Sequence, residues 1–220
     1  GPGGKHAETQ SAADIINPAK LAGAEASAPC LACHSTDRHR AFWEGSPHEA
    51  ADVSCLSCHD VHSGNGQHLL AKADAREVCL ACHGNVRSSL MQRSRHPLKE
   101  GKMDCASCHQ PHGTATEKLI DAASINDKCY QCHADKRGPF LWEHFPVREN
   151  CLTCHAAHGS NQESLLVRQT TRLCQSCHIQ GRHQTGAAKP DEVWLFNRAC
   201  LNCHGQIHGS NHPSGVILQR

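Results

Sequence analysis

The sequence predicts a mostly irregular chain with short α-helices and little or no β-sheet, folded around bound cofactors instead of an apolar core. Its 220 residues include only 4 Phe, 3 Trp and 1 Tyr, and no long stretch alternates with the period of a helix or a strand. All 16 cysteines, in contrast, fall into eight short motifs. Small chains commonly replace a missing core with such covalent or metal anchors.

The motif is Cys-x-x-Cys-His. In this pattern two thiols add to the vinyl groups of a c-type haem, and the adjacent histidine binds its iron. The predicted attachment sites are Cys30, Cys33, Cys55, Cys58, Cys79, Cys82, Cys105, Cys108, Cys129, Cys132, Cys151, Cys154, Cys174, Cys177, Cys200 and Cys203. The predicted first iron ligands are His34, His59, His83, His109, His133, His155, His178 and His204. Eight covalently bound haem c groups are therefore expected.

Other uses of paired cysteines fit the sequence less well. A zinc ribbon also takes two closely spaced cysteine pairs per metal, but it has no use for a histidine after every pair. No cysteine lies outside the motifs, so none remains for a disulfide or a catalytic thiol.

A longer repeat supplies further histidines. Each repeat contains a leading histidine, a first motif, a trailing histidine separated from that motif by two residues, and a second motif. The leading residues His48, His96 and His144 recur at equal spacing, and a fourth copy is degraded. Eight histidines in these positions predict a second ligand for every iron: His48, His62, His96, His112, His144, His158, His183 and His208. His112 follows His109 too closely to reach the other face of the same haem, so a neighbouring haem is its expected partner.

The remaining candidate ligands are outside the repeat register. His39 is an alternative ligand for the first haem, in place of His48. Packing or surface roles are predicted for the others, which are His6, His68, His212, Met91 and Met103.

The predicted organisation has three parts. Residues 1–29 form a flexible arm or short helix, residues 30–210 form an elongated multihaem cytochrome c stack with eight haems, and residues 211–220 form a tail. Residues 1–29 contain no charged and apolar leader pattern, and no apolar run approaches the roughly 18 residues of a membrane span. The expectation is a mature, extracytoplasmic chain without a transmembrane helix, because covalent haem attachment of this type occurs outside the cytoplasm.

Charge argues against nucleic acid as a partner. The polypeptide has a formal charge of +1, but haem propionates change the balance to about −7 when every iron is ferric and about −15 when every iron is ferrous. An acidic particle is predicted to bind its redox partners in a salt-dependent way.

The paired arrangement, and the segment "FWEGSPHEAADVSCLSCHDVH" in particular, resembles the periplasmic decahaem cytochromes of the MtrA/DmsE type over about residues 30–210. This resemblance implies a wire of stacked bis-histidine haems, in some cases sheathed by an outer-membrane porin. It also implies a periplasmic electron donor and an outer-membrane or extracellular acceptor. The present chain has eight motifs rather than ten, so a position inside a porin and a role as a shuttle are both open.

The predicted function is electron transfer as a periplasmic carrier or as part of an outer-membrane conduit, with no catalytic residue. Two alternatives are a subunit of a polymeric haem filament and a nitrite or hydroxylamine reductase. A reductase needs an iron with an open position, which some families mark with lysine in place of the motif histidine. All eight motifs here end in histidine.

Overall fold

The computed structural model describes residues 3–62, 67–179 and 199–219. Within these ranges the chain is largely irregular and contains no β-strand, which confirms the predicted fold class. The α-helices are α1 (Gly4–Thr9), α2 (Gly23–His34), α3 (Pro47–Ala50), α4 (Ala75–Leu80), α5 (Gly84–Ser89), α6 (Ile125–Tyr130), α7 (Phe145–Glu149) and α8 (Thr170–Gln175). No helix in this part of the chain is long and apolar enough to cross a membrane.

Local sequence explains where these helices begin. The side chains of Asp74 and Ser124 accept hydrogen bonds from backbone N–H groups at the starts of α4 and α6. Proline occupies an early position in α3 and α7, where its fixed φ is favourable and its missing N–H has no cost. Each helix is only one to three turns long, so packing around the motifs has to stabilise it.

The motifs alternate between two settings. In each repeat, the first motif begins a short 3₁₀-helix at its first cysteine, and these helices are Cys55–Ser57, Cys105–Ser107 and Cys151–Thr153. The motif at Cys200 also begins a 3₁₀-helix, Cys200–Asn202. The cysteines of the second motifs are instead carried at or just beyond the ends of α4, α6 and α8, and α2 carries the earliest motif in full.

Contacts divide the chain into two compact units. The first comprises Gly1–Gly84 and Gly101–Ala123, and the second comprises Asn85–Glu100 and Ser124–Arg220. Each unit contains four motifs. The segment 85–100 belongs to the second unit, where Ser94 and Ser160 form an isolated antiparallel bridge with N···O distances of 2.8 Å. The division into arm, array and tail stays a prediction.

Buried apolar side chains are few among the described residues. They are Ala26, Trp43, Leu80, Leu90, Leu98 and Leu218. The largest side chain that is fully buried belongs to Ser27, so side chains alone do not build a conventional core.

Candidate functional site

Each motif is closed into a single turn by its own backbone. The N–H of the motif histidine donates to the carbonyl of the first cysteine, for example from His59 to Cys55 at 2.9 Å and from His133 to Cys129 at 2.9 Å. Two thiols and one imidazole are therefore presented by one turn. All 16 cysteines are unpaired thiols that are exposed or half-buried, as attachment to a large planar group requires.

Thiols of consecutive motifs lie beside one another in the first unit. The Cys30 thiol is hydrogen-bonded to that of Cys55, and the Cys79 thiol to that of Cys105. Between these pairs, burial and then the nearby Cys82 thiol raise the pKa of Cys58. These contacts join the four motifs of the unit in chain order.

The second unit repeats the arrangement. Cys129 is hydrogen-bonded to Cys151, and Cys174 to Cys200. The Cys154 thiol has a pKa raised by burial and by the charge of Cys177. The bond to Cys129 favours the thiolate of Cys151 and lowers its pKa to about 7. Contacts between first cysteines again alternate with contacts between second cysteines.

Polar side chains three residues before a motif cysteine also connect consecutive motifs by hydrogen bonds. The hydroxyl of Ser27 accepts a hydrogen bond from the Cys55 N–H at 3.2 Å. In the second unit, the Asn126 side chain accepts from the Cys151 N–H at 2.8 Å and donates to the carbonyls of Val147 and Arg148. Both polar residues are buried.

Five pairs of predicted iron ligands face each other. Their ring centroids are 6.0 to 6.3 Å apart in the pairs His48 with His83, His59 with His112, His96 with His133, His144 with His178, and His155 with His208. Imidazole nitrogens bind transition metals at about 2 Å, so two imidazoles on opposite sides of one ion have centroids about 6 Å apart. The residues present therefore fit an iron held between each pair.

The pairs follow a simple rule. A leading histidine faces the motif histidine of the second motif in its own repeat, as His48 faces His83. A trailing histidine faces the motif histidine of the previous repeat's first motif, as His112 faces His59. His208 stands one residue late in the sequence, yet it faces His155 in the same manner.

Iron ligation by all of the predicted residues stays a prediction. His109 and His204 donate their Nδ1–H groups to backbone carbonyls, but the five pairs above do not include these two residues or His34, His62 and His158. The predicted ligand His183 lies outside the described residues.

Backbone carbonyls orient the motif histidines of the first motifs. His59, His109 and His155 donate from Nδ1 to the carbonyls of His68, Lys118 and Ser164, at 2.8 to 2.9 Å. A carbonyl can only accept, so each ring carries its proton on Nδ1 and keeps the Nε2 lone pair for a metal. His204 does the same with Ile217 at 2.6 Å.

The accepting carbonyls come from left-handed turns that no sequence motif predicts. The residue pairs in these turns have positive φ angles of 54° to 62°, in His68 with Leu69, Lys118 with Leu119, and Ser164 with Leu165. Non-glycine residues rarely adopt this conformation, and its cost has to be offset by surrounding structure. The three accepting residues differ chemically, so only the following Leu-Leu or Leu-Ile dipeptide marks the turn in the sequence.

Leading histidines use a different set of carbonyls. His48 donates to Pro111 at 2.8 Å and His96 donates to Ala157 at 2.7 Å. Each acceptor immediately precedes a trailing histidine of the next repeat. The third leading histidine, His144, lies near the backbone of the equivalent residue, Ile207, and this contact acts to raise the pKa of His144. The buried Nδ1 atom of His144 does not make a full hydrogen bond.

Burial favours the neutral form of several of these imidazoles. It is the largest cause of a lowered pKa in His112, His144 and His208, and the charge of the facing histidine lowers each pKa further. Only a neutral imidazole has the lone pair that binds iron. The edge of Trp43 also contacts the His112 ring, with centroids 6.4 Å apart.

A glycine directly follows the trailing histidines His112, His158 and His208 and permits close contact with an earlier segment. A Cβ atom on Gly113 would collide with the Phe42 carbonyl, and one on Gly159 would collide with the Ser89 carbonyl. In the fourth copy, a Cβ on Gly209 would overlap the ring of Phe140. The His-Gly pairs of the repeat thus combine a ligand with the small residue that lets an earlier segment pack beside it.

Comparison with known proteins identifies the repeat. The family described as "Doubled CXXCH motif" matches residues 48–88, 96–138 and 144–183, and the family "Cytochrome c554 and c-prime" matches residues 4–60. "Multiheme cytochrome MtrA" from Shewanella baltica (strain OS185) is 43% identical over 200 residues, which cover 87% of this chain and 60% of that protein. The chain thus spans about three fifths of this relative's length.

Proposed function

Because the chain belongs to the doubled-CXXCH family of multihaem c-type cytochromes, we propose that it transfers electrons along a series of eight haems. When bound, each haem supplies an iron that changes between the ferric and ferrous states. The protein attaches these groups, keeps them in order and supplies two imidazoles to each iron. The proposal assigns no substrate and no catalytic residue.

The order of the attachment cysteines is the observation that carries this proposal. Neighbouring thiols such as Cys79 and Cys105 bring the anchor points of consecutive motifs into contact within each unit. Groups attached there have to be close together, which supports electron exchange between neighbours rather than independent sites.

Facing imidazoles support a role in transfer rather than in reduction of a substrate. An iron with two histidine ligands has no vacancy for nitrite or hydroxylamine, and such ligation gives a lower potential than His/Met ligation does. The five facing pairs already account for more than half of the motifs. The comparisons do not favour the filament or the reductase.

Partners and location follow as part of the proposal. A protein similar to MtrA is expected outside the cytoplasm, with a periplasmic donor and an acceptor at or beyond the outer membrane. An outer-membrane porin is a further proposed partner. The test is a proteoliposome with donor inside and oxidant outside, in which the chain and its porin together should drain electrons, whereas the chain without porin should not. Equal rates with and without the porin would contradict the conduit and leave a soluble carrier.

A further inference from the structure

In the first unit, the segment after the helix-borne motif at Cys30 packs against the trailing histidine His112. The Trp43 N–H donates to the Arg40 carbonyl at 2.9 Å, and the Trp43 ring contacts the His112 ring with centroids 6.4 Å apart. The Phe42 carbonyl lies so close to the glycine after His112 that a Cβ atom on that glycine would collide with it. Arg40 therefore belongs to a segment that packs on a predicted iron ligand.

Two further contacts fix the guanidinium group of Arg40. Its Nη2 atom lies 2.6 Å from the Asp37 carboxylate, and its Nε–H donates to the carbonyl of the motif histidine His34 at 3.1 Å. The Arg40 side chain is only 28% exposed, so solvent and salt screen its charge less than that of a fully extended surface arginine. A positive charge is thereby held beside the motif of one haem and a ligand of the next.

The charge of Arg40 outweighs that of its carboxylate partner at His112. Burial is the largest cause of the lowered pKa of His112, and Arg40 lowers this pKa more than Asp37 raises it. The exposed His39 acts in the same direction as Arg40. The ligand, and an iron bound to it, therefore lie in a net positive potential from this segment.

The second unit has the same arrangement with a lysine. Lys136 follows the helix-borne motif at Cys129 and forms an ion pair with Asp135 at 2.8 Å. It lines one small cleft together with Phe140 and His208. The lowered pKa of His208 results first from burial and then from the charge of Lys136, and Asp135 has a smaller, opposite effect. A cation thus lies near a trailing histidine in each unit.

These two cations occupy the same place in the order of the motifs. The first cysteines of consecutive motifs are hydrogen-bonded at Cys30 with Cys55 and at Cys129 with Cys151. In both places the cation follows the earlier motif of the pair. It lies near the imidazole that faces the motif histidine of the later one. Each cation is therefore next to a ligand of the later haem, attached at Cys55 or at Cys151.

A fixed positive charge favours the reduced state of a haem beside it. Ferric iron loses one unit of positive charge when it accepts one electron from a neighbouring haem or from an electrode. The repulsion between the iron centre and the cation falls at the same time, so the cation raises the reduction potential. Charge near a redox cofactor is one of the means by which a protein tunes it.

We infer that Arg40 and Lys136 raise the reduction potentials of the haems attached at Cys55 and Cys151. The carboxylate partners limit this rise and position the cations. One haem in each unit then holds an electron more strongly than it would without the cation, so the potentials along the series are stepped by the protein. The inference rests on the proposed haem binding and electron transfer, and adds residues that set the potentials.

The test follows one haem in the full, matured chain. His112→Met should give the Cys55 haem a methionine-to-iron absorption band that bis-histidine haems lack, so spectroelectrochemistry can measure its potential alone. In this background, Arg40→Gln should lower the potential of the marked haem, whereas Arg40→Lys retains the charge and should retain most of the potential. Arg38→Gln removes an exposed charge from the same segment. It is the matched control and should leave the potential unchanged.

Removal of the opposite charge tests the sign of the effect. Asp37→Asn leaves the charge of Arg40 without its partner and should raise the potential of the marked haem. In the second unit, Lys136→Gln should lower the potential of the Cys151 haem, which His208→Met marks in the same way. The Lys136 side chain is 46% exposed, so this shift should be the smaller of the two.

Several results would overturn the inference. An unchanged potential in Arg40→Gln would do so, and so would an equal shift in Arg38→Gln, because the effect would then reflect total charge alone. Shifts of the same sign in Arg40→Gln and Asp37→Asn would indicate distortion of the segment. If Arg40→Gln does not mature, Lys136→Gln decides, and an unchanged potential there rejects the inference. Haem content by mass and the number of electrons taken up per chain test the proposed function separately.

Discussion

At the scale of single residues, a histidine acts on a haem attached elsewhere in the chain. The sequence alone predicts that His112 binds a haem other than its own, because it follows His109 by only three positions. It does not say which haem, since that choice depends on how successive repeats pack. The facing rings of His112 and His59 point to the haem of Cys55 and Cys58.

The first prediction concerns this partner. His112→Ala should make the haem of Cys55 and Cys58 high-spin while the haem of Cys105 and Cys108 stays low-spin. Magnetic circular dichroism of variants that also lack one of these attachment pairs identifies the affected haem. His212→Ala is the control. A high-spin haem at Cys105 would show that the pairing is wrong.

The second prediction concerns the glycines beside the trailing histidines. Gly159→Ala should lower the free energy of unfolding of the holoprotein by about 1 to 3 kcal/mol, because the new methyl group overlaps the Ser89 carbonyl and the backbone has to move. Denaturant unfolding followed by CD measures the change. Gly84→Ala has open space around its Cβ position and should have no such cost. Equal loss in both variants would contradict the steric explanation.

At the scale of elements, the short turns matter more than the helices. The motifs and the regular spacing of the histidines can be predicted from the sequence because they are residue identities at fixed positions. The left-handed pairs at 68–69, 118–119 and 164–165 could not be predicted, because they are a shared backbone conformation of dissimilar residues.

The third prediction tests one of these turns. Lys118→Val places a β-branched residue at a φ of 57° and should displace the carbonyl that accepts from His109. A weaker hydrogen bond makes the imidazole a poorer donor to iron, so one haem should gain a higher reduction potential. Lys118→Gly, which tolerates the turn, should retain the original value. Spectroelectrochemical titration compares the two, and identical titrations would contradict the role of the turn.

The fourth prediction concerns the contact between α6 and the following motif. Asn126→Ala removes one bond to the Cys151 N–H and two to backbone carbonyls, so the holoprotein should lose about 2 kcal/mol or more of unfolding free energy. Asn161→Ala, at an exposed position, is the control. Denaturant titrations that do not distinguish the two variants would show that the buried amide does not stabilise the junction.

At the scale of the whole molecule, cofactors are expected to supply the mass that a core would otherwise provide. The described residues bury few apolar side chains, so removal of haem should leave a largely unfolded polypeptide. The repeated motifs and the small number of aromatic residues allow this dependence of the fold on haem to be predicted from the sequence. The elongated shape expected from the sequence, with the haems of Cys30 and Cys200 nearest opposite ends, stays a prediction that solution scattering and paramagnetic distance measurements can check.

One chain is expected to hold eight low-spin haems as a connected electron-transfer series. The decisive measurement is a coulometric titration of the intact, matured protein, followed optically and by EPR. We expect eight electrons to be taken up per polypeptide, low-spin signals throughout the oxidised state, and exchange between haems that is fast on the timescale of the titration. Uptake of fewer than eight electrons by a fully matured chain, or a high-spin iron that binds nitrite, would contradict it.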